Sequence, residues 1–96
     1  MSFKEFLTED QRLVILRSLY EVNGYEANES VINVWLGAFG HKVSRDVVRT
    51  HLFWLQEQGL VSLRDVCGIQ VARLTGRGED VATGQALVPG VKRPRA

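Results

Sequence analysis

Only four residues, His41, Lys42, Val43 and Ser44, separate two stretches that both carry the marks of a helix. The first opens at Asn28, whose side chain can accept a hydrogen bond from an unpaired amide of the first turn, and closes at Gly40, which tolerates a left-handed backbone. Its apolar members are Val31, Ile32, Trp35, Leu36 and Phe39. The second opens after Ser44, another good N-cap, and runs to Gly59 with Val48, Leu52 and Leu55 spaced for one inward face. Two helices joined by so short a turn have the local grammar of a helix-turn-helix.

Beyond Gly59 the hydrophobic period changes from that of a helix to two, in LVSLRDV and IQVARLT, separated by Cys67 and Gly68. That pattern predicts a hairpin in which Val66 faces Ile69, Leu63 faces Ala72 and Val61 faces Leu74. Val61, Leu63, Ala72 and Leu74 then form the core face, while Arg64, Val66, Ile69, Val71 and Arg73 share the other. Three aliphatics on that second face mark it for cover by the tail or for contact. Ahead of the pair, Thr8 and Gln11 read as a capping box opening a helix with Leu13, Leu16, Leu19 and Tyr20 on its buried stripe, ended by Asn23 and Gly24, with Phe3 and Phe6 before it. Thr75 can cap a short last helix that Gly76, Gly78 and Gly84 weaken, so its stability has to come from packing. The arrangement expected is α+β, mainly helical with one hairpin: a single domain over residues 1–87 and a basic, mobile tail over 88–96.

A chain of 96 residues holds one domain of about the usual size. It buries only about 60% of its unfolded surface, so apolar side chains left outside the core become candidate contact sites. No apolar run approaches the roughly 18 residues of a membrane span, and acids stand where a signal peptide would be apolar, so a cytoplasmic protein with no membrane partner is expected. The single cysteine, Cys67, has no intramolecular disulfide partner, and His41 and His51 lack metal-ligand spacing, so neither a metal nor a cofactor is expected. His51 reads as a structural helix residue and His41 as an exposed turn residue. A nucleophilic Cys67 would need an oriented base, Glu79 and Asp80 suit the first turn of a helix, and there is no phosphate-binding glycine motif, so no enzyme is expected. Net charge is +1, but residues 1–40 carry three Lys/Arg against six acids, whereas residues 41–96 carry nine against five. The C-terminal part is the one able to attract an anionic partner.

The stretch SRDVVRTHLFWLQEQGLVSL resembles the third helix and first wing strand of small bacterial winged helix-turn-helix regulators of the ArsR-like kind, through Ser44, His51, Leu52, Leu55, Gly59, Leu60 and Val61. From LTEDQRL through YEANESVINVWL to LTGRGEDVATG the chain is also similar to a family of small proteins of Mu-like bacteriophages and prophages. The first resemblance implies a winged helix that binds double-stranded DNA, and the second a phage setting near DNA packaging. Carried over position by position, Arg45, Asp46, Arg49, Thr50 and Phe53 would face a major groove with Ser44 near a phosphate, and Arg64, Arg73, Lys92, Arg93 and Arg95 would add secondary phosphate contacts from the hairpin and the tail. The regulators' metal-sensing cysteines have no counterpart in this helix. Phe53 stands where they have a basic or polar residue, and with Val66, Ile69 and Val71 it suits a protein contact. Two readings result: a DNA-binding protein in transcriptional control or packaging, acting as a homodimer through Phe3, Phe6 and the first helix or through the outer hairpin face; or an adaptor for a phage packaging or assembly protein that reads no base.

Overall fold

In the computed structural model, which describes residues 2–94, three helices stack beside a small antiparallel sheet and a fourth closes its far end. Helix α1 (Phe3–Glu21) is followed by a 3-10 turn (Asn23–Tyr25), strand β1 (Glu26–Asn28), α2 (Glu29–Ala38), α3 (Arg45–Glu57), strands β2 (Val61–Val66) and β3 (Ile69–Leu74), and α4 (Gly76–Ala82). The result is an α+β fold of four helices and a three-stranded sheet ordered β1-β3-β2, compatible with a winged helix. No described helix is long and apolar enough to cross a membrane.

The caps expected for α2, α3 and α4 form as drawn from the sequence. Asn28, Ser44 and Thr75 each accept a hydrogen bond from the amide three residues on, Val31, Val47 and Gly78 respectively. At the other ends Gly40 and Gly59 take positive φ, and the amides of His41 and Leu60 reach back to the carbonyls of Leu36 and Leu55. This is the Schellman closure, and it releases the chain sharply enough for a four-residue link. The hairpin has the expected register, Val61 to Leu74 through Val66 to Ile69. Cys67 and Gly68 both have positive φ, the two-residue turn that suits strand twist.

Four expectations are corrected. Helix α1 begins five residues before Thr8, because Ser2 caps it, the Glu5 amide donating to Ser2 Oγ at 3.1 Å and Ser2 Oγ in turn to Glu5 Oε1 at 3.3 Å. Phe3 and Phe6 therefore lie within the helix, both exposed. Tyr20 leaves the buried stripe to stack on Tyr25, and Ile15 takes its place in the core. A third strand, β1, covers one edge of β3, pairing Glu26 with Arg73 and Asn28 with Val71; three residues are too few to show a period. The segment expected to stand free after residue 87 is seated as far as Lys92: Val88 and Val91 are buried, and the Lys92 amide donates to the Glu9 carbonyl.

The core joins Leu13, Ile15, Leu16 and Leu19 of α1 to Ile32 and Leu36 of α2, Val48, Leu52 and Leu55 of α3, and Leu60, Val61, Ala72, Leu74 and Val81 beyond them. It leaves the outer side of α3 and the hairpin uncovered, which is where the site lies.

Candidate interaction surface on the third helix

Helical spacing sorts α3 into three sides. Val48, His51, Leu52 and Leu55 point into the protein and are buried. Diametrically opposite, at intervals of four, three and four residues, stand Asp46, Thr50, Phe53 and Glu57, all exposed. Phe53 keeps 45% of its surface accessible between the two carboxylates. Arg45 and Arg49 fall on the flank between these sides, toward the hairpin.

That flank is occupied by Glu29. Its side chain has no accessible surface, yet it is fully partnered: Arg49 Nε donates to Oε2 at 2.6 Å, Arg49 Nη2 to Oε1 at 3.1 Å, and the Gln70 amide to Oε1 at 2.7 Å. Arg45 adds its charge at 3.8 Å. The Arg49 hydrogen bond draws the Glu29 pKa below its ordinary value, against the opposing pull of burial, and Glu29 in turn raises that of Arg49. Arg49 Nη2 also donates to the Gly68 carbonyl at 3.0 Å, so one guanidinium ties α2, α3 and the hairpin tip together. Asp65 completes the tip, accepting from the Gly68 amide and from the Gln70 side chain.

Two of the other candidate cations, Arg64 and Lys92, are also engaged. Arg64 donates to Glu26 at 2.8 Å across the sheet, holding that carboxyl below its usual pKa. Lys92 pairs with Asp10 at 3.3 Å, and Asp10 also accepts from His41 at 2.7 Å. Burial would raise the Asp10 pKa, but the hydrogen bonds from His41 and Lys92 outweigh it and leave the group below its ordinary value. His41 is thus a buried partner of α1 and not an exposed turn residue. Arg73 and Arg93 are exposed, and Arg95 lies outside the described residues. Ser44 and Thr50 use their hydroxyls inside the chain, Ser44 as the cap and Thr50 donating to the Asp46 carbonyl. Val66 is exposed at the hairpin end, and Ile69 and Val71 are half-buried. Residues 26–73 carry five Lys/Arg and five acids, so this stretch has no net charge.

On its inner flank α3 meets α1 and the C-terminal segment. The guanidinium of Arg12 lies 3.8 Å above the centre of the Trp54 ring, and its Nη1 donates to the Gly90 carbonyl. Arg12 Nε donates to His51 Nδ1 at 3.4 Å, leaving His51 Nε2 to donate to Gln11 Oε1 at 2.8 Å. Burial first, and then the charge of Arg12, hold His51 neutral, its pKa pushed down to about 4. A base with a depressed folded pKa is bound by more protons in the unfolded chain, so stability should be complete above pH 6.5 and fall as pH drops toward 4, by about 3 kcal/mol in all. Thermal unfolding at pH 7 and pH 4.5 should show the loss, and a His51→Gln chain should show much less of it; equal acid sensitivity in both would place the titration elsewhere.

Sequence reading offered Arg45 and Arg49 to a major groove without seeing that Glu29 lies beside them. The available signal was a lone carboxylate at the head of an otherwise uncharged helix, 16 and 20 residues before those arginines. No group of three or more potential ligands stands together to hold a metal ion among the described residues.

No family model matches the chain. It is 58% identical over 91 residues to uncharacterized protein gp26 of Escherichia phage Mu, spanning 95% of this chain and 94% of that one. It is also 58% identical over 78 residues to an uncharacterized protein of Haemophilus influenzae, spanning 80% of this chain and 76% of the other. Similarity of that degree, running through the capped helices and the hairpin alike, shows that the chain belongs to the Mu-like phage family that includes gp26.

Proposed function

We propose that this protein is a winged-helix, non-catalytic interaction module of a Mu-like phage, acting in the cytoplasm of the bacterial host on a packaging or assembly protein through the outward stripe of α3. One observation carries the reading. The side of α3 that would enter a major groove offers Asp46, Thr50, Phe53 and Glu57 and no cation, while Arg45 and Arg49 are drawn aside onto Glu29. Duplex binding is built on cations that displace counterions from phosphates, and two carboxylates there oppose it. A half-exposed ring between carboxylates suits a protein surface with an apolar pocket rimmed by Lys or Arg.

DNA binding is the second reading, favoured by the order α1-β1-α2-α3-β2-β3, a helix-turn-helix followed by a wing, and by the exposed Lys42, Arg73 and Arg93. Contact would then run to phosphates from the wing and the C-terminal end, in transcriptional control or packaging, with little base reading by α3. A photo-crosslinking residue at position 53, in cells producing phage, tests the main reading. One discrete adduct with a phage protein is expected, lost on Asp46→Lys with Glu57→Lys. Crosslinking to DNA, or an adduct indifferent to those charges, contradicts it.

A further inference from the structure

The outer side of α2 and the adjoining side of α1 differ from the rest of the surface. Val31, Val34, Gly37 and Ala38 point outward on α2 and lead into Phe39, with no charge among them. Val34 and Phe39 are 69% and 68% exposed. Beside them runs a groove of about 610 Å³ between α1 and α2, lined by Leu13, Val14, Trp35 and Phe39 together with the mutually paired Asp10 and Lys92. Gly37 is helical, and a Cβ added there would meet nothing within 4 Å, so nothing inside the chain calls for glycine. Glycine weakens a helix relative to alanine, and what it offers in return is close approach of another backbone. Arg17 and Glu21 line the same groove, four residues apart on α1, and neither joins an ion pair among the described residues.

We infer that this α1/α2 face is a homodimer interface, closed by a second copy of the chain across a two-fold axis. The occupant follows from self-complementarity. The face carries both a projecting ring, Phe39, and an apolar recess, and beside the recess both an unpaired cation, Arg17, and an unpaired anion, Glu21. A two-fold axis sets each ring toward the other copy's recess and each Arg17 toward the other's Glu21, while Gly37 lets the two α2 helices approach. A purely apolar ligand would leave both charges unanswered, and a partner of one charge sign would answer only one of them. The face is separate from the α3 stripe, so the inference stands independently of the proposed function.

Sedimentation equilibrium of the full chain tests it. A dimer is expected in the micromolar range. Val34→Glu and Phe39→Glu should each weaken association by about tenfold or more, with circular dichroism and thermal unfolding of the monomer unchanged because both side chains are mostly exposed. Gly37→Leu should weaken association while raising the monomer's melting temperature. Arg17→Glu should weaken it, and the doubly exchanged Arg17→Glu, Glu21→Arg chain should recover it. A wild-type chain that stays monomeric throughout that range, or a dimer that none of the single substitutions weakens, would overturn the inference.

Discussion

Replacing Gly78 by alanine is expected to destabilise the chain by about 3 kcal/mol or more. Helix propensity alone gives the opposite sign, since alanine is favoured over glycine by up to about 1 kcal/mol within a helix. The reversal comes from packing. Gly78 is buried in the first turn of α4, and its Cβ would fall inside the van der Waals envelope of the Leu60 carbonyl oxygen and 2.7 Å from Leu74 Cδ1. That carbonyl has little room to retreat, because Leu60 is fully buried and its oxygen accepts the Thr75 amide at 3.1 Å. The start of α4 would have to move off the sheet. In a domain of this size the loss corresponds to a fall in melting temperature of about 12 °C or more. Gly76→Ala is the control, since a Cβ there meets nothing within 4 Å; its melting temperature should match or exceed that of the wild type. Scanning calorimetry decides between them, and a Gly78→Ala chain as stable as the wild type would show that α4 does not sit on Leu60.

Glu29→Ala should cost a similar amount, about 3 kcal/mol, for a different reason. Burying a carboxylate is expensive, and what offsets the cost here is the paired hydrogen bonds of Arg49 with the amide of Gln70. Removing the acid leaves a half-buried N–H without its acceptor and a guanidinium without its counter-charge. Glu29→Gln retains an acceptor for the Gln70 amide and should lose less. Arg64→Ala, which breaks an exposed ion pair with Glu26, should scarcely change the melting point. Denaturant unfolding ranks the three. Hydrogen exchange adds a local readout: amides near Gly68 should open first in Glu29→Ala, because Arg49 holds that turn. If Glu29→Ala matched Arg64→Ala, the buried cluster would not be what joins the hairpin to the helices.

The parts of this fold that were legible in the sequence are those fixed by local chemistry. Asn28, Ser44 and Thr75 announce helix starts, Gly40 and Gly59 their ends, and the change of period after Gly59 sets the hairpin register to the residue. What escaped depends on contacts between distant residues. Thr8 and Gln11 have the spacing of a capping box but lie inside α1, where Gln11 accepts from His51 instead. The stretch after Leu87 reads as tail from its prolines and cations, yet Arg12, Trp54 and Asp10 give its Val88–Lys92 part a seat. The same holds at the site. Phe53 was legible as a surface residue, whereas the arginine row took on a different meaning once Glu29, far away in sequence, was found beneath it.

The central claim is that the cations of α3 serve the fold and its outward stripe serves a protein partner. Titration of the full chain against pooled phage DNA fragments, at low and at moderate salt and beside Arg45→Ala, tests it most directly. The account predicts no measurable binding, or weak binding that Arg45→Ala leaves unchanged. Tight binding that weakens steeply with salt and is lost in Arg45→Ala would contradict it and make α3 a reader of DNA.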